Sequence, residues 1–354
     1  FVLLILGAPV SFALILSGSL GIYWFGGLQA LIGMLSSMPR DSARSYEFLA
    51  IPMFLLMAEF VLRSGIAEDL FKAAAAWFGR VRGGLGIATA LAGAGFGAVC
   101  GSSTASAATL SSTSLPSMQA YGYDTRFASG VVAISGTLAM LIPPSIAMVV
   151  YALLADVNVA QMLIAGVIPG IIVTFTIALT VYVLALKNPS HAPLTEPVSL
   201  RQKIVSLRAV APMLILMASV TGVIYTGLAT PTEASAVGAL CAGILYFLRG
   251  RRTRSEVIDV FARATRTACM LAFIILGAHL FTTFFALTQT TQTIVAWVGA
   301  LEVNPWVIMV ALIVVILILG CFMDQMAILV LTVPVAGPLV ESMDFSLVWF
   351  GVIL

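Results

Sequence analysis

The chain has 354 residues, of which 61% are hydrophobic and only 9% are charged. A soluble domain carries about 25% charged residues, so a fold of this composition would expose too much apolar surface in water. The formal net charge of +2 gives no indication of a nucleic-acid partner. The composition therefore predicts a protein whose natural solvent is a lipid bilayer.

Apolar stretches follow one another along the chain, and a membrane-spanning helix needs about 20 such residues. The stretches without a strong interruption are residues 2–25, 160–186, 209–228, 234–248 and 267–287. Three others are interrupted by Gly, Ser/Thr or Pro clusters, at residues 85–115, 127–154 and 305–340. We therefore predict an all-α polytopic membrane protein with re-entrant hairpins and broken helices.

A polar linker with three prolines occupies residues 186–209 and joins two halves of the chain. It carries four basic residues against one acid, and a second basic segment at 249–266 carries six arginines against two acids. The positive-inside rule places both segments in the cytoplasm. Two predicted spans lie between them, which agrees with that placement.

The two halves show a weak internal repeat at an offset of 220 residues, which aligns Trp77 with Trp297. Inverted repeats of transporters leave internal symmetry of this kind. The turn after Trp77 holds two arginines, whereas the matching turn holds Glu302 and no basic residue, as expected if the halves face opposite ways. We predict that residues 1–185 and 210–354 are inverted repeats related by a two-fold axis in the membrane plane.

The first predicted repeat contains a re-entrant hairpin near residues 86–115 and a broken helix near residues 127–154. Segments 64–82 and 284–302 each contain a tryptophan and mix polar with apolar residues. We expect these two segments to lie partly along the membrane interface as arms of a scaffold, with Trp77 and Trp297 at headgroup depth.

Hydroxyl groups are concentrated in segment 101–114, where nine of fourteen residues carry one. Hydroxyls and open backbone are costly in hydrocarbon unless they face protein or water. On this segment alone, two interpretations are open: a re-entrant hairpin whose tip lines a cavity, or a tightly packed helix pair with small residues at its seam.

Two prolines inside the apolar run 136–145 favour the hairpin interpretation. Pro143 and Pro144 cannot donate helix hydrogen bonds, so a helix should break there. A break at membrane depth frees carbonyl groups that can bind Na⁺ and creates a helix N-terminus that can hold a carboxylate.

Isolated acids inside apolar runs are candidates for functional roles. Asp324 is the only charged residue between Glu302 and Glu341. Glu233 follows Thr230 in the sequence Thr-Pro-Thr-Glu, which is also typical of a capped helix start, and we favour that structural role for it.

Five motifs occur in a characteristic order: the hydroxyl-rich hairpin, Leu141-Ile-Pro-Pro-Ser145, Gly166-Val-Ile-Pro-Gly170, Thr230-Pro-Thr-Glu-Ala234 and Gly320-Cys-Phe-Met-Asp324. In this order and spacing, the chain resembles the large membrane subunit of tripartite ATP-independent periplasmic (TRAP) transporters over essentially its whole length. The resemblance implies an elevator-type carrier in the bacterial inner membrane that takes up an organic acid, such as a dicarboxylate or a sialic acid, together with Na⁺. It also implies two partners, a periplasmic binding protein that delivers the substrate and a small four-helix membrane subunit.

The resemblance further implies which residues bind. One Na⁺ site would be built by the first hairpin and the helix break, through Ser102, Ser103, Thr104, Ser106, Gly136, Thr137, Pro143 and Pro144. The other half would contribute to ion or substrate binding through Thr230, Thr232, Gly320 and Asp324. The candidate Na⁺ ligands are Ser103, Gly136, Thr137 and Asp324.

Alternatives to this function are an anion carrier of a related two-hairpin fold that needs no binding protein, an intramembrane enzyme, and a channel. The GxSxG pattern of a serine hydrolase is absent around Ser102 and Ser103, and rings of like charge are not evident. The repeat offset places a second proline break near residues 363 and 364. We therefore expect the C-terminal part of the second repeat to be missing from this sequence, and a chain ending at Leu354 not to transport.

Overall fold

The computed structural model describes residues 2–194, 198–250, 252–300 and 303–354, so Glu302, Arg251 and part of the linker lie outside the described residues. Within these ranges, every regular element is helical. The α-helices are α1 (Val2–Ile5), α2 (Val10–Arg44), α3 (Ala50–Arg63), α4 (Ile66–Phe78), α5 (Gly84–Cys100), α6 (Ser103–Ala120), α7 (Thr125–Leu141), α8 (Ile146–Leu154), α9 (Val159–Ala165), α10 (Val167–Lys187), α11 (Leu200–Tyr225), α12 (Pro231–Leu248), α13 (Arg254–Leu287), α14 (Thr290–Gly299), α15 (Pro305–Gly320), α16 (Gln325–Ser342) and α17 (Leu347–Ile353).

The predicted all-α polytopic fold is confirmed. Six helical segments of the described chain are long and apolar enough to cross a membrane, or up to eight if each of two bent helix pairs forms one span. One bent pair comprises the segments Glu47–Arg63 and Ile66–Phe78, at 63°, and the other comprises α7 and α8, at 45°.

Each of the three interrupted apolar stretches folds as two helices. Helices α5 and α6 are separated by residues 101–102, α7 and α8 by residues 142–145, and α15 and α16 by residues 321–324. The first hairpin therefore extends over residues 84–120, beyond the range 86–115 that its composition indicated.

Helix boundaries recur at the offset seen in the sequence. Shifted by 220 residues, α5 falls on residues 304–320 and α6 on residues 323–340, close to α15 and α16. The same shift moves α4 onto residues 286–298, close to α14. The two-fold relation between the halves, with its boundaries at residues 185 and 210, stays a prediction.

The chain divides into two compact units that do not follow the repeat boundary. We call residues Pro52–Met148 and Leu163–Ala264 the central unit. The terminal unit comprises residues Phe1–Ile51, Val149–Met162 and Thr265–Leu354. Each unit therefore combines segments from both halves of the sequence.

Close backbone approaches hold α5 against α7 in the central unit. A Cβ atom placed on Gly97 would lie 2.6 Å from Cα of Ala139, and one on Gly93 would lie 2.7 Å from the carbonyl oxygen of Ser135. Within a membrane, such packing replaces the hydrophobic effect as the force between helices, so small residues at the seam are required.

Polar contacts hold α4 in the central unit. Arg249 at the end of α12 forms an ion pair with Asp69 of α4 at 2.5 Å. The indole N–H of Trp77 donates to the carbonyl of Lys203 in α11 at 3.3 Å. Trp77 is partly exposed, as an interfacial position requires, although its depth in a membrane stays a prediction.

Glycine contacts also pack the terminal unit. A Cβ on Gly18 of α2 would meet the backbone of Leu280 in α13 at 2.9 Å. The buried Tyr151 of α8 donates its hydroxyl hydrogen to the carbonyl of Leu347 at 2.5 Å, and its ring packs against Gly351 of α17. Helix α16 contacts α14, α15 and α17 in the same unit.

We expect Gly97→Ala to destabilise the protein, because its new methyl group meets backbone atoms of α7 that cannot move aside like a flexible side chain. Overpacking of this kind costs about 1–3 kcal/mol. The control is Gly130→Ala on the exposed face of α7, where a Cβ meets nothing within 4 Å. Replacing glycine inside a helix there should stabilise by about 0.5–1 kcal/mol. Thermal melting of the purified variants measures both, and equal melting temperatures would contradict the expectation.

Candidate functional site

The tip of the first hairpin is the two-residue turn between α5 and α6. Gly101 adopts a left-handed conformation with φ of 60°, which a residue without a Cβ adopts at no steric cost. Ser102 then caps α6, since its hydroxyl oxygen accepts from the backbone N–H of Ala105 at 3.5 Å. The tip therefore ends one helix and begins the next within two residues.

The break in the following helix pair spans residues 142–145. Helix α7 ends at Leu141, and Ile142 is extended, as expected for a residue that precedes proline. The hydroxyl oxygen of the buried Ser145 accepts from the backbone N–H of Met148 at 3.4 Å and caps α8. The predicted helix break at Pro143 and Pro144 is thus present.

The hairpin tip and the break lie against each other. A Cβ on Gly101 would lie 3.2 Å from the carbonyl oxygen of Pro144 and 3.0 Å from the backbone nitrogen of Ile146. Because α6 and α8 begin here and α5 and α7 end here, two helix N-termini and two helix C-termini meet at one place. Backbone amides and carbonyls are therefore both concentrated at this junction.

Helix α10 covers the break through two glycines of the Gly166–Gly170 motif. A Cβ on Gly166 would lie 2.7 Å from the carbonyl oxygen of Leu141, and one on Gly170 would lie 2.8 Å from the side chain of Ile142. The motif thus allows a helix to approach the last turn of α7 closely.

Two buried hydroxyls flank a close contact between α6 and α7. A Cβ on Gly136 would lie 2.7 Å from Cβ of Ala107, and the neighbouring residues Ser106 and Ser135 are fully buried. Within the described structure, neither serine hydroxyl has a hydrogen-bond partner. Buried polar groups without a partner are uncommon and costly, so these oxygens could accommodate a water molecule or an ion.

The remaining hairpin and break candidates differ in exposure. Ser103 is half-buried at the start of α6, whereas Thr104 is exposed and its hydroxyl lies 3.2 Å from that of Ser102. Thr137 is exposed, and its hydroxyl donates to the carbonyl of Ile134 at 2.7 Å. The threonine hydroxyl is thus engaged within its own helix.

The Thr230–Glu233 segment of the central unit forms the helix start that the sequence predicted. Thr230 accepts from the backbone N–H of Glu233 at 3.3 Å, and the carboxylate of Glu233 accepts from the backbone N–H of Thr230 at 2.8 Å. This reciprocal capping box satisfies the start of α12. Thr232 is buried in the first turn of the same helix.

Gly320 and Asp324 belong to the terminal unit and flank the break between α15 and α16. Gly320 ends α15. Asp324 caps α16, and its carboxylate accepts from the backbone N–H of Met326 at 3.1 Å. A capping aspartate leaves further acceptor positions on its carboxylate, so the cap does not preclude an ion-binding role.

The structure adds residues that sequence reasoning did not propose for the site. Gly101 and Ser145 form the tip and the break, and Ser135 presents a buried hydroxyl beside Gly136. Gly101 and Ser145 lie within the hydroxyl-rich hairpin and the Leu141–Ser145 motif. Ser135 could not be identified from the sequence, because an isolated serine in an apolar run is common.

The capping box makes a stability prediction. Thr230→Ala removes the acceptor for an amide at the start of α12 and should lower the free energy of unfolding by about 1 kcal/mol. Thr226→Ala is the matched control, since that hydroxyl donates mainly to the carbonyl of Gly222 within α11. Thermal melting of both variants tests this, and an equal loss of stability in the control would contradict it.

Comparisons with known proteins bear on what this junction does. The family described as tripartite ATP-independent periplasmic transporter, DctM component, matches residues 1–354. The chain is 36% identical over 315 residues to the C4-dicarboxylate TRAP transporter large permease protein DctM of Pseudomonas aeruginosa, which covers 89% of this chain and 73% of that protein.

Other relatives carry different substrate names. The ectoine TRAP transporter large permease protein TeaC of Halomonas elongata is 29% identical, covering 99% of this chain and 82% of its own. The sialic acid TRAP transporter large permease protein SiaM of Vibrio cholerae is 28% identical, covering 99% and 81%. This chain superposes on the crystal structure of the YdaH transporter of Alcanivorax borkumensis with a TM-score of 0.61 and 16% sequence identity, over 92% of this chain and 75% of that one. The two proteins are therefore similar in fold.

Proposed function

Because the chain belongs to the family of the DctM component of tripartite ATP-independent periplasmic transporters, we propose that it takes up an organic acid across the bacterial inner membrane by Na⁺ symport. The chain is a multi-pass membrane transporter rather than an enzyme, since its relatives are transporter permeases. The finer proposal concerns the coupling ion, the substrate, the partners and the movement.

The observation that carries the proposal is the contact between the hairpin tip and the helix break. Carbonyl groups at the ends of α5 and α7 supply hard oxygen atoms, which Na⁺ prefers over thiolate or imidazole ligands. The hydroxyls of Ser106 and Ser135 lie nearby along α6 and α7 and lack protein partners within the described residues. The junction therefore fits a small cation without a buried carboxylate.

The same junction suits an anionic substrate. The N-termini of α6 and α8 begin at the tip and the break, and helix N-termini favour carboxylates through their free amides and positive dipole ends. The relatives named for C4-dicarboxylates, ectoine and sialic acid all have substrates with a carboxylate group. We therefore assign the substrate to the class of small organic acids.

The proposed partners follow from family membership. A periplasmic binding protein would deliver the substrate, and a small four-helix membrane subunit would enlarge the scaffold. The proposed movement is that of an elevator, in which the part of the chain that holds the junction moves across the membrane against a fixed scaffold. Asp324 and the Thr230–Thr232 region are each proposed to contribute to ion or substrate binding in the second half of the chain.

Ser103→Ala and Asp324→Asn should each impair Na⁺-dependent uptake while expression stays intact. Asparagine caps helices as well as aspartate, so Asp324→Asn removes the charge and keeps the cap. Uptake is measured in proteoliposomes. They contain the large membrane subunit, expressed from its gene, and are assayed with both partner proteins present. Replacing external Na⁺ with K⁺ should abolish uptake by the unmodified protein.

The matched control for the hairpin is Ser112→Ala, because that exposed hydroxyl donates to the carbonyl of Thr109 within α6. It should leave both the maximal rate and the Na⁺ concentration for half-maximal uptake unchanged. Uptake that proceeds equally in K⁺ would contradict the proposed Na⁺ coupling. An unchanged Na⁺ dependence in both variants would remove Ser103 and Asp324 from the site.

Dependence on a binding protein separates this proposal from a two-hairpin carrier that works alone. Omitting the periplasmic binding protein from the same proteoliposomes should reduce uptake to the background of empty liposomes. Adding it back should restore uptake with a saturable dependence on its concentration. Full uptake of free substrate without the binding protein would contradict the proposed tripartite assembly.

A further inference from the structure

An apolar groove of about 550 Å³ runs along the outside of the central unit between α3, α12 and α13. The described residues that line it are all apolar, among them Met53 and Leu56 of α3, Leu240 and Ile244 of α12, and Phe261 of α13. The small residues Ala236 and Gly243 of α12 leave the space that forms it. None of these residues belongs to the junction of hairpin tip and helix break.

Aromatic rings close one end of the groove. Phe60 of α3 packs edge-on against Phe261 of α13, with ring centroids 5.8 Å apart, and against Tyr246 of α12 at 5.5 Å. The guanidinium of Arg252 stacks on the other side of this cluster, 4.4 Å from the Tyr246 ring centroid. The aromatic end of the groove thus lies beside a charged cluster, which comprises Arg63, Arg252, Arg263 and the acids near them.

Among the described residues, the charged cluster offers fewer acceptors than its arginines have N–H groups. Arg63 and Arg263 share the carboxylate of Asp259, at 2.5 and 3.3 Å. Arg252 donates to the backbone carbonyls of Tyr246 and Arg63, both at 3.3 Å. Since each guanidinium has five N–H donors, the contacts made among the described residues leave donors unused. The side chain of Arg263 is 59% exposed.

The charge of the segment that carries the cluster favours an anion. The cluster consists of Arg63, Arg252 and Arg263 with the acids Glu59, Glu256 and Asp259, and the segment 249–266 that carries most of them holds six arginines against two acids. Glu256 is already engaged, because it accepts from the backbone N–H of Thr253 at 2.9 Å. The cluster belongs to the basic segment that the positive-inside rule places at the cytoplasmic surface, where anionic lipid headgroups are found.

We propose that this groove binds one anionic phospholipid of the cytoplasmic leaflet. An acyl chain would lie along α12, and the phosphate would lie on the arginines of the charged cluster. The apolar lining matches the acyl chain, and arginine donors match phosphate oxygens in geometry as well as charge. The groove is open to the outside of the unit, so the lipid enters laterally from the bilayer. The headgroup interaction gives selectivity for anionic lipids over zwitterionic ones.

The test measures lipids retained by the purified full chain. The protein is incubated with equal amounts of phosphatidylglycerol and phosphatidylcholine with identical acyl chains, and retained lipids are counted by native mass spectrometry. The unmodified protein should retain phosphatidylglycerol preferentially. Arg263→Gln should lower the retained phosphatidylglycerol about fivefold and leave phosphatidylcholine unchanged, because one basic residue near an anionic surface contributes affinity of that order.

Filling the groove tests the acyl-chain half of the proposal. Ala236→Phe places a ring in the groove from an exposed position of α12 and should reduce retention of both lipids. Its control is Val237→Phe, on the neighbouring exposed position outside the groove. The charge control is Arg208→Gln on the exposed surface of α11. Both controls should behave like the unmodified protein.

Two outcomes would overturn the proposal. One is equal retention of the two lipids by the unmodified protein, or retention of phosphatidylglycerol that Ala236→Phe does not reduce. The other is that the Ala236→Phe variant no longer co-purifies with a co-expressed small membrane subunit while its lipid retention is unchanged. That result would identify the groove as a docking face for a helix. Melting temperatures of all variants, measured without added lipid, identify any variant that fails to fold.

Discussion

The cost of an unpaired backbone polar group in hydrocarbon, several kcal/mol each, governs this fold. A chain that breaks its helices at membrane depth must bring those breaks together, where they face protein, water or a ligand instead of lipid. The turn at Gly101 and the break at Pro143 and Pro144 do so by lying against each other. Helix α10 covers the break through Gly166 and Gly170. At this junction the backbone thus lacks part of the hydrogen bonding that its own helices would supply.

Close approach is the second requirement, and glycine supplies it. Hydrophobic burial does not distinguish a helix neighbour from a lipid tail, so helices in a membrane are held by contact and by hydrogen bonds. The seams at Gly93, Gly97 and Gly136 bring backbone to within van der Waals distance of α6 or α7. The glycines at these seams therefore allow the hairpin tip and the helix break to meet, since a wider seam would separate them.

Sequence reasoning identified features that change local backbone chemistry. The paired prolines predicted the break, and the spacing of Thr230 and Glu233 predicted a capping box. Its limits were those of long-range packing. No local pattern could show that Gly101 would meet Pro144. Nor could it show that the hydroxyl of Ser135 would be buried without a partner among the described residues, while that of Thr137 would bond within its own helix. Those outcomes depend on which faces of α6 and α7 meet.

The arrangement of helix ends at the junction explains how one small site could serve both an ion and an acid. Helix C-termini present negative dipole ends and free carbonyls, whereas N-termini present positive ends and free amides. With α5 and α7 ending where α6 and α8 begin, both kinds of group are fixed by the same two turns. A cation at the carbonyl side would orient the tip residues Ser102 and Ser103, whose helix also supplies amides to an anion. In the proposed Na⁺ symport, binding of either ligand would therefore order backbone that the other requires, and this shared ordering would couple the two.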